Sequence, residues 1–357
     1  MNNLDFILLR FAMGIEDAEP QLETLAWEHF YDFCKKHAIL GVGFAAVEKI
    51  AAEKRPPKAQ MLRWYSIVNS IEQSNQRLNE RCKDITQLFA EKNFRSCILK
   101  GQGNAEMYPQ PLRRQSGDID IWVEGRIHDI IRYMESLTDA ELYITYHHTE
   151  FPIWNDVAIE VHYRPTWLNS PFKNHRLQKW FEQNSETQFS NKNKNQGYVT
   201  PTTEFNLVYQ LLHIFHHFME EGIGLRQIID YYYLLLRSSS QEREEAMLTI
   251  ADLGLKRFAG ALMYVLRYVF KLSETLMLCS PDAKNGASLL AEIMQSGNFG
   301  HYDDRNEYLL QKSGIVRKLY QGKRLVHLLL QYPKETMCAP CRLSHVIWRK
   351  LKLWRFE

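Results

Sequence analysis

A short apolar run carrying two aspartates, Asp118 and Asp120, constrains the fold of this chain more than any other feature. The run reads Asp-Ile-Asp-Ile-Trp-Val, and such alternation of polar and apolar residues is typical of a β-strand. Because side chains on a strand alternate between its two faces, both carboxylates point the same way while Ile119 and Ile121 face a core. Neighbouring carboxylates repel each other unless a cation lies between them. The strand therefore predicts a cation site on one face of a sheet.

A second alternating run, residues 157–163, supplies a third carboxylate at Glu160. Glu160 and His162 share one face of the predicted strand, with Ile159 and Val161 on the other. Hard divalent cations prefer carboxylate oxygens and also bind phosphates. The three acids therefore predict a site for Mg²⁺ (or Mn²⁺), if the two strands bring them to the same side of the sheet.

A glycine turn follows the apolar run that ends at Leu99, with the sequence Lys100, Gly101, Gln102 and Gly103. Glycine lets the backbone turn sharply and approach a ligand closely. A helix predicted to begin at Gln102 presents free N–H groups that could face a nucleotide phosphate. Lys100 either reaches that phosphate or is a solvated lysine at the end of a strand.

Two arginines, Arg113 and Arg114, precede the aspartates. The planar guanidinium fork matches phosphate oxygens, so an arginine here could bind a triphosphate. We assign this role to Arg113 rather than to Arg114. The alternative is that the arginine neutralises the aspartates when no metal is bound.

Together these motifs resemble the bacterial uncharacterised nucleotidyltransferase family, within the polymerase-β-like nucleotidyltransferase superfamily. The diagnostic resemblance covers roughly residues 96–164, and a weaker one extends over residues 211–236. It implies transfer of a nucleoside monophosphate from a nucleoside triphosphate such as ATP to an acceptor hydroxyl, with Mg²⁺ or Mn²⁺ as cofactor and release of pyrophosphate. The implied catalytic and metal-binding residues are Asp118, Asp120 and Glu160, and the implied nucleotide-binding residues are Lys100, Gly101, Gln102, Gly103 and Arg113.

The glycine turn departs from the superfamily pattern, which has Gly-Gly or Gly-Ser where this chain has Gly101-Gln102-Gly103. This departure leaves a second interpretation open: a catalytically inactive protein of the same fold that binds a nucleotide or a protein partner.

The predicted fold class is α+β, with a small mixed β-sheet core of nucleotidyltransferase type between helical regions. The N-terminal helical region covers residues 1–92, the α/β core residues 93–190 and the helical C-terminal region residues 200–357. Residues 165–200 are polar and are predicted to be irregular, with residues 167–181 folding over the site.

Histidines recur near the predicted site, which raises a zinc site as an alternative for His147, His148 and His162. We expect His162 to support the acids or contact substrate instead. Further cleft candidates lie on the C-terminal helices, namely His213, Arg226 and Asp230. Arg226 and Asp230, spaced by four residues, could alternatively form an ion pair within their helix.

The composition limits the possible partners. The 44 basic and 42 acidic residues give a net charge of +2, so nucleic-acid binding is possible but charge does not indicate it. Six scattered cysteines do not suggest a disulfide scaffold, and no apolar stretch approaches the ~20 residues of a transmembrane helix. These features predict a cytoplasmic protein. The basic, aromatic residues 342–357 raise a further alternative, a membrane-surface accessory protein.

Overall fold

The computed structural model describes residues 3–20, 26–191, 197–302, 326 and 328–338. Four helices precede the sheet: α1 (Asn3–Met13), α2 (Ala26–Lys36), α3 (Leu40–Lys49) and α4 (Lys58–Ala90). The core contains β1 (Ser96–Ile98), α5 (Gln102–Ala105), β2 (Asp118–Val123), α6 (Ile127–Glu135), β3 (His148–Glu150) and β4 (Ala158–His162). The helices that follow are α7 (Pro171–Ser190), α8 (Thr203–Glu220), α9 (Leu225–Arg237), α10 (Ser240–Asp252), α11 (Lys256–Phe270), α12 (Ala283–Ser296) and α13 (Pro333–Met337).

The sheet has four strands in the order β1-β2-β4-β3. Strand β2 pairs antiparallel with β1 and parallel with β4, and β3 pairs antiparallel with β4. The predicted α+β class, with a small mixed sheet between helical regions, is thus confirmed. The division of the chain into three regions stays a prediction.

One face of the sheet is apolar and fully covered. Ile119 and Ile121 of β2 and Ile159 and Val161 of β4 form a buried cluster with side chains of α4 and α6. The alternation of the two runs produces this face directly, since every second residue points into the cluster. The carboxylates of the same strands must therefore lie on the opposite face.

The opposite face is covered by the helices that follow the sheet. Trp122, at the end of β2, packs against Phe189 of α7 with ring centroids 4.5 Å apart and stacks on Phe205 of α8 at 5.7 Å. The prediction that residues 165–200 are irregular was therefore wrong, because α7 is a helix of 20 residues. Its polar composition hid a sparse stripe of buried residues, including Leu177 and Phe181, which lie four positions apart.

A buried histidine in the loop after α2 makes the fold sensitive to acid. His37 is fully buried against Phe33, and neither of its ring nitrogens has a hydrogen-bond partner among the described residues. Burial lowers the pKa of His37 from 6.5 to about 3. Between these values the unfolded chain binds a proton that the folded chain does not. The free energy of unfolding should therefore decrease as the pH decreases through this range, by at most about 1.4 kcal/mol per pH unit from this group.

Urea unfolding at pH 7 and pH 5 measures this dependence. We expect His37→Leu to make the free energy of unfolding less dependent on pH between these two values. The same change at His175, which is exposed on α7, should leave the wild-type slope. Equal slopes for the wild type and His37→Leu would exclude this origin of the acid sensitivity.

Within the described part of the chain, no helix is both long enough and apolar enough to cross a membrane. The basic segment at residues 342–357 lies outside the described residues.

Candidate active site

A pocket of about 280 Å³ lies between the polar face of the sheet and helices α8 and α9. The sheet side and its loops contribute both carboxylates of β2, Glu160 of β4 and the start of the glycine turn at Lys100 and Gly101. The helical side contributes His213, Arg226 and Asp230, which were all cleft candidates. These predicted site residues, together with His162, line one cavity.

The strand register brings the acids together. Asp120 lies directly beside Glu160 in the parallel pair of β2 and β4, and Asp118 lies beside Ala158. Since paired residues of neighbouring strands point to the same side, Asp118, Asp120 and Glu160 all face the pocket. The condition on which the metal prediction depended is met in the structure.

A lysine and a histidine lie against Asp120, which is almost completely buried. The Lys100 ammonium is 2.8 Å from Asp120 Oδ1, and His162 Nε2 is 3.0 Å from the same oxygen. His162 Nε2 also lies 3.4 Å from Glu160 Oε2, so the imidazole bridges two carboxylates. Lys100 is therefore an inward-facing partner of the acids rather than a solvated lysine.

The acids have different electrostatic environments. Repulsion by Asp120, together with burial, raises the pKa of Asp118. Burial opposes ionisation of Asp120, but Lys100 and His162 outweigh it and lower the pKa of Asp120 well below its ordinary value. Burial lowers the pKa of His162, but hydrogen bonds to Asp120 and Glu160 outweigh it and raise the value overall. In the part of the chain that the structure describes, no side chain pairs with Asp118, which leaves its charge available to a cation.

The pocket is lined by six histidines, three from the sheet side and three from α8: His147, His148, His162, His213, His216 and His217. Trp167 lies between the two groups, with its ring centroid 4.0 Å from those of His147 and His216. The sequence analysis named the three histidines of the sheet side and His213 of α8, but the meeting of the two groups across one pocket depends on how α8 packs on the sheet. Trp167 lies in the segment predicted to fold over the site, and it does line the pocket.

Asp230 anchors α9 to the core through a buried network. Arg114 binds it with two nitrogens at 2.8 and 2.7 Å, and Tyr108 and Asn104 donate to it at 2.6 and 3.2 Å. The alternative of an ion pair between Arg226 and Asp230 within α9 was therefore wrong. Arg226 instead donates to the backbone oxygen of Gln115, and its Nε is buried without a hydrogen-bond partner among the described residues.

Three residues predicted to bind nucleotide do not line the pocket. Arg113 pairs with Glu48 of α3 and Glu72 of α4, outside the pocket. Gln102 is buried and donates to Asn79 of α4 at 2.6 Å. A Cβ added at Gly103 would lie 3.2 Å from both the backbone oxygen of Ile98 and the methyl group of Thr200. Of the two neighbouring arginines, the one that lines the cavity is Arg114, to which the sequence did not assign the phosphate role.

The turn at Gly101 requires glycine. Its φ of +55° and ψ of −107° are rarely adopted by residues with a side chain, and an added Cβ would lie 3.2 Å from the backbone oxygen of Asp118. We expect Gly101→Ala to reduce the free energy of unfolding by about 1–3 kcal/mol.

Urea unfolding checks this expectation. Gly117→Ala is the matched control, since Gly117 lines the same pocket but an added Cβ would meet nothing within 4 Å. An equal loss in both variants would mean that the Gly101 turn is not strained for other residues.

The donor set fits a divalent metal ion. Asp120, Glu160 and His162 each offer one ligand atom, and these atoms lie within 4.8 Å of one another. The three histidines His147, His148 and His162 form a second such group. However, His147 Nε2 and His148 Nδ1 are only 2.6 Å apart and form a hydrogen bond with each other. The mixed group of carboxylates and imidazole is therefore the better metal site.

Comparisons with known proteins agree with the motifs. The sequence model of a family described as "Uncharacterised nucleotidyltransferase" matches residues 23–271. No curated protein sequence matches the chain. A solved antigenic nucleotidyltransferase-like protein from Paracoccidioides brasiliensis is 16% identical, with a TM-score of 0.31 over 54% of this chain and 92% of that one. The Thermotoga maritima CCA-adding enzyme complexed with tRNA is 11% identical, with a TM-score of 0.21 over 76% of this chain and 80% of that one. These two scores are too low to support an argument from structural likeness.

Proposed function

This chain belongs to the uncharacterised nucleotidyltransferase family, and we propose that it transfers a nucleoside monophosphate from a nucleoside triphosphate to an acceptor hydroxyl. The reaction depends on Mg²⁺ or Mn²⁺, releases pyrophosphate and takes place in the cytoplasm. The single observation that carries the proposal is the meeting of Asp118, Asp120 and Glu160 on one face of the sheet, in the family's matched region.

The carboxylates would hold the metal, which would neutralise phosphate charge and lower the pKa of the acceptor hydroxyl. In the transfer step the acceptor oxygen forms a bond to the α-phosphorus. The bond from that phosphorus to the oxygen bridging the α- and β-phosphates breaks, and pyrophosphate leaves with the bonding electrons. Asp118 or Glu160 accepts the proton of the acceptor hydroxyl.

Positive charge for the triphosphate comes from the two sides of the pocket. Lys100 lies beside the acids on the sheet side, and Arg226 lies on the helical side near Asp118. Gly101 has no side chain, so a phosphate can approach the backbone of the turn closely. Arg226 thus replaces Arg113 in our assignment, because the guanidinium of Arg113 is held by Glu48 and Glu72. Positioning and charge neutralisation supply most of the catalysis in such a site.

Two observations favour the second candidate, a catalytically inactive protein that binds a nucleotide or a protein partner. Lys100 takes the Asp120 oxygen that a metal needs, and Gln102 of the altered glycine turn is tied to α4. A fixed Lys100–Asp120 pair would leave the site unable to bind metal.

Titration calorimetry with ATP, GTP, CTP and UTP separates the two candidates. We expect saturable binding of at least one nucleotide with Mg²⁺ or Mn²⁺, and loss of binding in excess chelator. With the nucleotide that binds, label at the α-phosphate should move into an acceptor in cell extract, while label at the γ-phosphate should appear in pyrophosphate. Binding without transfer of the α-label would favour the inactive protein, and absence of binding with either metal would refute the proposed activity.

A further inference from the structure

The imidazole of His162 lies between two carboxylates of the pocket. Its Nε2 is 3.0 Å from Asp120 Oδ1 and 3.4 Å from Glu160 Oε2. Its side chain is almost completely buried, and Nδ1 has no hydrogen-bond partner among the described residues. In the described structure the polar contacts of the ring therefore all pass through Nε2, toward the two carboxylates.

These spacings equal those of atoms that share one metal ion. Bonds from a first-row divalent ion to nitrogen or oxygen are about 2.1 Å long. Two ligand atoms on such an ion are about 3.0 Å apart at a right angle and about 3.4 Å apart at the tetrahedral angle. An ion could therefore take the place of the proton on Nε2, provided that the Lys100 ammonium, which lies 2.8 Å from the same Asp120 oxygen, moves away.

We propose that His162 is a direct ligand of the divalent ion, together with Asp120 and Glu160, and that this mixed set selects a transition metal such as Mn²⁺ over Mg²⁺. The inference rests on the proposed function, in which the carboxylates hold the ion, and it makes the imidazole of the mixed group a direct ligand. Mg²⁺ binds oxygen and retains its waters, whereas imidazole suits softer ions. A nitrogen ligand at this position therefore disfavours Mg²⁺.

His148 supports this site without binding the ion. Its Nε2 is 4.0 Å from Glu160 Oε2, and its Nδ1 is hydrogen-bonded to His147 Nε2 at 2.6 Å. These contacts hold the ring beside the outer edge of Glu160. Of the three acids, His148 thus reaches only Glu160, and only at the limit of an ion-pair distance, so His148→Gln compares the loss of a nearby imidazole with the loss of the proposed ligand.

Pulsed electron paramagnetic resonance of the Mn²⁺-loaded full chain, without nucleotide, tests the proposal. We expect a coupling to a directly bound imidazole nitrogen in the wild type. Growth on ¹⁵N-histidine should change the frequency of that coupling, which requires no variant. His162→Gln should remove the coupling and weaken Mn²⁺ binding at least tenfold, while His148→Gln should retain the coupling. In competition, the wild type should prefer Mn²⁺ over Mg²⁺ at least tenfold more strongly than His162→Gln does.

The outcomes separate this inference from the proposed function. Bound Mn²⁺ without a nitrogen coupling, or a coupling that survives in folded His162→Gln, would overturn the role of His162 and leave metal-dependent transfer by the three acids intact. No Mn²⁺ binding to the wild type at millimolar metal, with or without nucleotide, would overturn both.

Discussion

Replacing Asp120 with asparagine is expected to lower nucleotidyl transfer by about 10³-fold or more. Asp120 is the residue on which Lys100 and His162 converge, and it lies beside Glu160 across the strand pair. The amide keeps the shape of the carboxylate but removes the charge that holds a divalent ion. Transfer of α-phosphate label and calorimetric binding of metal with nucleotide measure the two parts of this loss.

The matched control for this change is Asp129→Asn. Asp129 lies on α6, on the other side of the sheet, and pairs with exposed Arg126. The Asp129→Asn variant should keep both metal binding and transfer. Wild-type transfer by Asp120→Asn would show that the reaction does not pass through the acids of β2.

Replacing Asp230 with alanine is expected to reduce the free energy of unfolding by about 3–5 kcal/mol. The Arg114–Asp230 pair is buried, and the carboxylate also accepts hydrogen bonds from Tyr108 and Asn104. Removing it leaves the Arg114 guanidinium buried without its counter-charge, which costs more than the pair itself contributes. The change should also loosen α9, which carries Arg226 into the pocket. Urea unfolding measures the loss.

Asp252→Ala is the matched control, because Asp252 forms an ion pair with Arg176 in which both side chains are about 60% exposed. Exposed pairs contribute at most about 1 kcal/mol, so this variant should remain close to the wild type. Equal losses in the two variants would show that the buried network contributes no more than a surface pair.

Much of the site could be predicted from the period of the two alternating runs. The period fixes which side of each strand an acid occupies, so Asp118 and Asp120 had to share a face with each other, and Glu160 with His162. That the two polar faces coincide depends on the parallel register of β2 and β4, which is a tertiary property. The motif resemblance supplied this information where periodicity could not.

The local sequence did not predict correctly which of the two neighbouring arginines lines the pocket. Arg113 is the last residue of a 3-10 turn, Pro111–Arg113, whereas Arg114 has an extended backbone, so the two neighbours direct their side chains differently. Arg114 is an even number of residues from Asp118 and Asp120, so parity along the segment could have indicated that it faces inward. Helix α7 was missed for a different reason. Its buried stripe gains its partners only when Trp122 and Phe205 pack against it.

The most direct test of a metal site at these acids is a crystal structure with Mn²⁺ and a non-hydrolysable nucleoside triphosphate analogue, with the metal located by anomalous scattering. We expect an anomalous peak between Asp120 and Glu160, Lys100 moved from Asp120 toward the phosphates, and the triphosphate beside the Gly101 turn. A structure at saturating Mn²⁺ and analogue with no peak at these carboxylates, and with Lys100 still paired to Asp120, would contradict this expectation.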